Sequence, residues 1–413
     1  MTDSIAAFLD AEQDRQTGFL AELVKIPTDN PPGDCAAHAE RARALLQDLG
    51  FEVEAHPVPE MNVRAAGMKS VTNLIVRHRF GDGPTIALNA HGDVVPPGLG
   101  WSHDPYGAEI EESEDGKRMF GRGAAVSKSD FASYAWALLA LRCEAEQGAE
   151  YAGTVELHFT YDEEIGGTVG PQWILEQGLS EPDYVICAGF SHAIITAHNG
   201  CLHLELTVTG KIGHAAEPDR AVDALQVTNS VLSALYDHRD ELARIRSTVP
   251  GIVSPTLVVG TIEGGINTNV VPDRVTLRVD RRVLPEESID VVEQELGDLV
   301  HRVVGIYPGA GVSVQRIMSA RPLSPQPGWE KIAEALRRHA AALTGEEVPY
   351  VGAKLFTDAR LYSEKGIPVV LYGAGPRTLA EAGGHNSDEN LDLADLRLGT
   401  EVVARAVADL LTP

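Results

Sequence analysis

Four short runs, residues 71–77, 84–90, 154–160 and 184–188, read as strands, and the second is too apolar to lie exposed. They alternate with helical patterns. Ile5, Phe8, Leu9, Phe19, Leu20, Leu23 and Val24 recur at helical spacing over 4–25, residues 36–49 end at Gly50 with its left-handed cap preference, and 131–141 is an apolar helix. This order predicts an α/β fold with a mainly parallel sheet sandwiched by helices. From about residue 200 the order becomes strand 202–209, helix 221–246, strands 256–262 and 274–280, helix 286–304 and strand 312–318. That βαββαβ order is a ferredoxin-like α+β unit. Helix 329–343, strand 369–372 and a helix from about 393 to 411 then resume the first pattern. The expectation is a discontinuous catalytic domain, 1–199 and 320–413, carrying an inserted lid, 200–319.

A chain of 413 residues exceeds what one hydrophobic core usually serves, which agrees with two domains. Its charge of −26, from 34 basic and 60 acidic residues, repels nucleic acids and anionic membranes. The start, Met1-Thr-Asp-Ser-Ile, has no basic stretch of the kind that opens a signal peptide, and no segment approaches 18 uninterrupted apolar residues. Cys35, Cys143, Cys187 and Cys201 form no dense disulfide pattern and no Cys-x-x-Cys motif. These features predict a cytoplasmic protein that binds neither nucleic acid nor membrane.

Three constellations carry chemistry. In Ala87-Leu-Asn-Ala-His-Gly-Asp-Val-Val-Pro96, His91 and Asp93 follow a strand, where α/β sheets place ligands, and His-x-Asp can pair an imidazole metal ligand with an orienting carboxylate. In Thr160-Tyr-Asp-Glu-Glu-Ile-Gly-Gly167, three consecutive carboxylates stand beside two glycines. Burying them calls for a cation, with one carboxylate as ligand and the next as general base. The third, Gly383-Gly-His-Asn-Ser-Asp-Glu-Asn390, is a polar loop bearing His385. Alone, each also reads as a hydrogen-bonded turn or a solvated acidic loop.

Together, in this order, they resemble the dinuclear zinc aminoacylase, carboxypeptidase G and succinyl-diaminopimelate desuccinylase family. Gly121-Arg-Gly, Gly210-Lys-Ile-Gly-His214, Glu263-Gly-Gly-Ile-Asn267, Asp280-Arg-Arg282, Thr357-Asp-Ala-Arg and Glu389 extend the likeness over nearly the whole chain. The resemblance implies His91, Glu164 and His385 as metal ligands, Asp93 as the residue orienting His91, and Glu163 as general base. It implies that His214 reaches the opposite subunit's site to stabilise the oxyanion, within a homodimer formed through the lid. Asn267 and Arg282 would hold the substrate's carbonyl and carboxylate, the latter suiting a guanidinium fork.

Two departures alter that expectation. Where the family carries a bridging aspartate the chain reads Gly121-Arg-Gly-Ala-Ala-Val126-Ser-Lys128-Ser-Asp130, and after the 184–188 strand Phe190 stands near the position of another acidic ligand. The expected site therefore holds one divalent ion, zinc or manganese, with Lys128 supplying positive charge to the substrate. Lys128, Asp130 and His192 are open candidates for replacing a lost role. The leading expectation is a metal-dependent hydrolase of an amide-type C–N bond in a small carboxylate-bearing substrate. Hydrolytic deamination of an amino-substituted aromatic acid and a catalytically inactive binding relative are the alternatives.

Overall fold

The run Thr85–His91 forms a strand in which every residue after Thr85 is buried. Such a strand needs partners on both edges and cover on both faces. In the computed structural model, which describes residues 4–114 and 116–412, its parallel neighbours are Thr154–Thr160 and Tyr184–Cys187. Val369–Leu371 continues the parallel centre beside Tyr184–Cys187. The flank departs from a purely parallel sheet: Thr72–Arg79 pairs antiparallel with Thr154–Thr160, and Val53–Pro57 pairs antiparallel with Thr72–Arg79. The eight-stranded order is 53–57, 72–79, 154–160, 85–91, 184–187, 369–371, 194–198 and 350–353.

Helix Lys128–Glu146 is buried at almost every position from Lys128 to Leu141, as befits a helix covered all round. Helices Ser4–Val24 and Leu393–Leu411 both pack on it. Trp136, fully buried, meets Phe19 edge-on at 5.3 Å between ring centroids. A small sheet of Glu109–Ser113, Gly116–Phe120 and Asn390–Asp392 ties the region before Gly121 to the carboxyl-terminal region.

The chain divides into two units, 1–196 with 325–351 and 357–413, and 197–324 with 352–356. Residues 352–356, placed with the catalytic domain on sequence grounds, group with the second unit. Residues 1–3, at the start of the amino-terminal reading, lie outside the described residues, as do 115 and 413. The second unit has an antiparallel sheet in the order Thr256–Gly264, Arg274–Val283, Gly200–Thr209 and Gly311–Ala320. Leu202, Leu204, Leu206 and Val208 alternate along its central strand and pack with Val227, Val231, Leu235, Val292 and Leu296 from helices Ala224–Leu242 and Ile289–Val304. Asp223 starts the first of these helices by accepting from the Leu225 and Gln226 N–H groups at 2.8 and 3.1 Å. A two-stranded ribbon, Gly213–His214 with Val270–Val271, completes the unit.

Candidate active site

His91 pairs in register with Thr160, the last residue of the neighbouring parallel strand. The segments leave the sheet together, with the Gly92 N–H donating to the Thr160 carbonyl at 2.8 Å. Two parallel strands thus deliver 91–93 and 162–164 to the same carboxyl-terminal edge, where open α/β sheets bind ligands.

Asp93, fully buried, organises both segments. Its carbonyl lies 3.0 Å from His91 Nδ1, and its carboxylate lies 3.3 Å from the same nitrogen. The carboxylate accepts from the main-chain N–H groups of Glu163 and Glu164, each at 3.2 Å, and from Asn30 Nδ2 at 2.9 Å. A carbonyl can only accept, so Nδ1 is the donor and Nε2 is left for a ligand or proton. Nε2 stands 3.9 Å from Glu163 Oε2.

His385 enters from the 383–389 loop. Its φ of +62° lies in the left-handed region, uncommon for a residue with a side chain and most often met at functional sites. Its Nε2 is 3.4 Å from Glu164 Oε1, and its side chain is 56% exposed. Beside it, buried Glu389 accepts from the N–H groups of Gly123, Ala125 and Val126, each at 3.1 Å, and from Arg122 Nη1 at 2.7 Å. One carboxylate therefore fastens the 121–126 loop to the loop that carries His385.

Asp162 and Asp358 add two buried acids. Gly170 and Gly167 close over them, and a side chain at either glycine would collide with Asp162 Oδ1 or Asp358 Oδ1 respectively. Burial pushes the Asp358 carboxyl up to about 7, and Asp358 Oδ2 has no hydrogen-bond partner among the described residues. Burial, with Glu164, Asp358 and Asp93 nearby, holds the Glu163 carboxyl well above its usual range, although His91 opposes this. At His91 burial opposes charging, but Asp93, Glu163 and Glu164 outweigh it and hold the imidazole well above its ordinary value. The field at His91 Nε2 thus favours positive charge, and a divalent cation fits the imidazole and carboxylate donors around it.

The expected ligands and the expected base are arranged as two imidazole–carboxylate pairs, His91 with Glu163, the base, and His385 with Glu164. Among the described residues the compact group of three donor atoms mutually within 4.8 Å lies in the second unit, so His91, Glu164 and His385 are not drawn into one tight triad. Asp93 orients His91, and Glu164 is the carboxylate nearest to the His385 ring.

Lys128 corrects the expectation of a substrate contact. It is fully buried, and its Nζ donates to the Leu23 and Ile26 carbonyls at 3.3 and 2.9 Å, satisfying the carboxyl-terminal end of the first helix. Asp130 accepts from the Ala374 N–H at 2.7 Å, and His192 Nε2 lies 3.0 Å from Asp395 Oδ1. All three of the open candidates are thus engaged in holding local structure. The Val126 N–H serves Glu389, and Phe190 forms a main-chain bridge to Gly375.

In the second unit His214 and Asn267 are exposed at the two-stranded ribbon, where His214 pairs with Val270 and the Asn267 carbonyl accepts from the Val270 N–H at 3.2 Å. Arg282 grips Asp280, with Nε 3.1 Å from Oδ1 and Nη2 3.2 Å from Oδ2. Sequence reasoning missed Asn30, the amide that donates to Asp93, and gave no role to Asp358 in the acid cluster. The Thr357-Asp-Ala-Arg motif was the available signal for Asp358, but only the fold places it beside the Asp162–Glu164 turn.

Residues 87–409 match the family described as peptidase family M20/M25/M40. The chain is 27% identical over 336 residues to the succinyl-diaminopimelate desuccinylase of a Nitratiruptor species, covering 78% of this chain and 85% of that one. It is 29% identical over 350 residues to the acetylornithine deacetylase of Aliivibrio salmonicida, covering 84% of each. Its fold is similar to that of an M20 family metallo-carboxypeptidase from Sulfolobus solfataricus, with a TM-score of 0.74 at 18% identity over 95% of this chain and 98% of that one. By the match over 87–409 the chain belongs to the M20/M25/M40 peptidase family, metal-dependent hydrolases of amide and peptide C–N bonds.

Proposed function

We propose that this chain hydrolyses an amide-type C–N bond in a small carboxylate-bearing substrate, with Glu163 as general base and one divalent ion, zinc or manganese, held by His91, Glu164 and His385. The observation that carries the reading is Asp93, which fixes His91 Nδ1 and the N–H groups of Glu163 and Glu164 around one point. Valine at 126 and phenylalanine at 190 in place of acidic donors support a single ion.

When bound, the ion supplies Lewis-acid polarisation of the scissile carbonyl and of water. Glu163 accepts a proton as the water oxygen bonds to the carbonyl carbon, then returns it to the nitrogen as the C–N bond breaks. Asp93 keeps the base and His91 in fixed relation throughout. We assign Arg282 to the substrate carboxylate, Asn267 to its carbonyl and His214 to the oxyanion in a partner subunit's site, within a homodimer. A cytoplasmic setting is supported by the free cysteines and by the lack, among the described residues, of a helix long and apolar enough to cross a membrane.

The test is product analysis with N-succinyl and N-acetyl amino acids and dipeptides. Equimolar amine and carboxylate, abolished by chelation and restored by zinc or manganese, is the expected result. Ammonia from aminobenzoates, with no turnover of any amide, would replace this reading with aromatic deamination.

A further inference from the structure

The lid sheet places a second donor set on rigid strands, outside the acid cluster. Cys201 and His203 lie two apart on Gly200–Thr209 and so share a face, opposite to the one on which Leu202 and Leu204 meet the lid helices. The antiparallel register sets Asp280 directly opposite His203 and Arg282 opposite Cys201. Cys201 Sγ is 3.2 Å from His203 Nε2 and 3.8 Å from Asp280 Oδ2, and His203 Nε2 is 2.9 Å from Asp280 Oδ2. Sulfur and carboxylate thus converge on the same ring nitrogen. A nucleophile relay would use both imidazole nitrogens, one for the thiol and one for the acid. Three unlike donors around one point instead describe the coordination shell of a cation.

We propose that Cys201, His203 and Asp280 form a zinc-class metal site in the lid, separate from the ion of the catalytic acid cluster. Zinc bonds of about 2.3 Å to sulfur and about 2.0–2.2 Å to nitrogen and oxygen, at tetrahedral angles, put donor atoms roughly 3.4–3.6 Å apart. The observed separations of 2.9, 3.2 and 3.8 Å bracket that value. Thiolate with imidazole and carboxylate suits zinc better than magnesium or calcium, which prefer oxygen alone. Binding forms S–metal, N–metal and O–metal bonds, and both the thiol proton and the Nε2 proton that His203 shares with Asp280 pass to solvent. Arg282, hydrogen-bonded to both oxygens of Asp280, orients the carboxylate from outside, the usual support of a ligating acid. His203 and Asp280 are partly exposed, which gives the ion an entry path and leaves its fourth position to water or a small donor.

Cobalt(II), added to the metal-depleted full-length chain, reports thiolate ligation through a sulfur-to-cobalt charge-transfer band. The band is expected in the wild type and in His91→Ala, and its loss is expected in Cys201→Ser and His203→Ala. No such band in the wild type at saturating cobalt would overturn the site. So would a band undiminished in Cys201→Ser, which would then arise from Cys35, Cys143 or Cys187. Should either variant fail to fold, X-ray absorption at the zinc edge of the zinc-loaded wild type gives the same decision: a sulfur neighbour at about 2.3 Å supports the site, and nitrogen and oxygen neighbours alone overturn it.

Discussion

Glu163 is a carboxylate whose main-chain N–H is pinned by Asp93 while its side chain faces His91. Glu163→Gln keeps the shape and removes the proton acceptor, so kcat should fall by about 10²–10⁴-fold with metal content unchanged. Steady-state kinetics with metal analysis checks this, and full turnover would refute the base assignment. Lys128 behaves in the opposite way, as a structural cation. Burial pushes its ammonium down to about 7 from an ordinary 10.5. Between those values the folded chain binds fewer protons at Lys128 than the unfolded chain does, so raising the pH through this window increases stability and lowering it through 7 loses that contribution. The stability of the wild type relative to Lys128→Met should therefore rise from pH 7 to pH 10, with KM unaffected by the substitution. Parallel denaturant titrations of the two proteins would show it, and a large rise in KM would restore Lys128 to the substrate.

The elements that hold the site differ in how much of them could be read in the sequence. The strands ending at His91 and Thr160 were legible because continuous apolar runs admit few other arrangements, and their parallel pairing brings the His91 and Glu163 motifs together. The roles of Lys128 and Glu389 were not legible. Lys128 opens a buried helix and turns toward carbonyls contributed about a hundred positions earlier, and Glu389 closes a loop more than 260 residues away. Contacts between such distant segments have no periodic signature. The Cys201, His203 and Asp280 set was hidden for a related reason, since it exists only once strands Gly200–Thr209 and Arg274–Val283 take one register. The Glu389 carboxylate and Arg122 are both fully buried and paired at 2.7 Å, so Glu389→Gln leaves an uncompensated guanidinium and loosens three loop N–H groups. Unfolding free energy should drop by about 3–5 kcal/mol. Replacing both partners by apolar residues should recover part of that loss in a denaturant titration, whereas additive losses would mean that the pair is not the unit of stability.

At the scale of the whole molecule, the four-stranded sheet of the second unit ends in the edge strand Thr256–Gly264, which exposes Val258 at 55% and Ile262 at 50%. An apolar edge with unpaired backbone groups invites a symmetric partner, and the proposed role of His214 requires one. Sedimentation should therefore give a dimer, and Val258→Lys with Ile262→Lys should shift it to monomer. Activity tests whether His214 then acts across subunits. His214→Ala and Glu163→Gln should each be nearly inactive alone, because each homodimer lacks one group in both sites. In a co-expressed mixture, half the dimers pair one variant with the other. If His214 serves the opposite site, one of their two sites then combines an intact Glu163 with a partner's intact His214, and the other lacks both. The mixture should regain about a quarter of wild-type activity under this isologous exchange. If His214 serves its own subunit's site, every site in every dimer lacks one group, and mixing restores nothing.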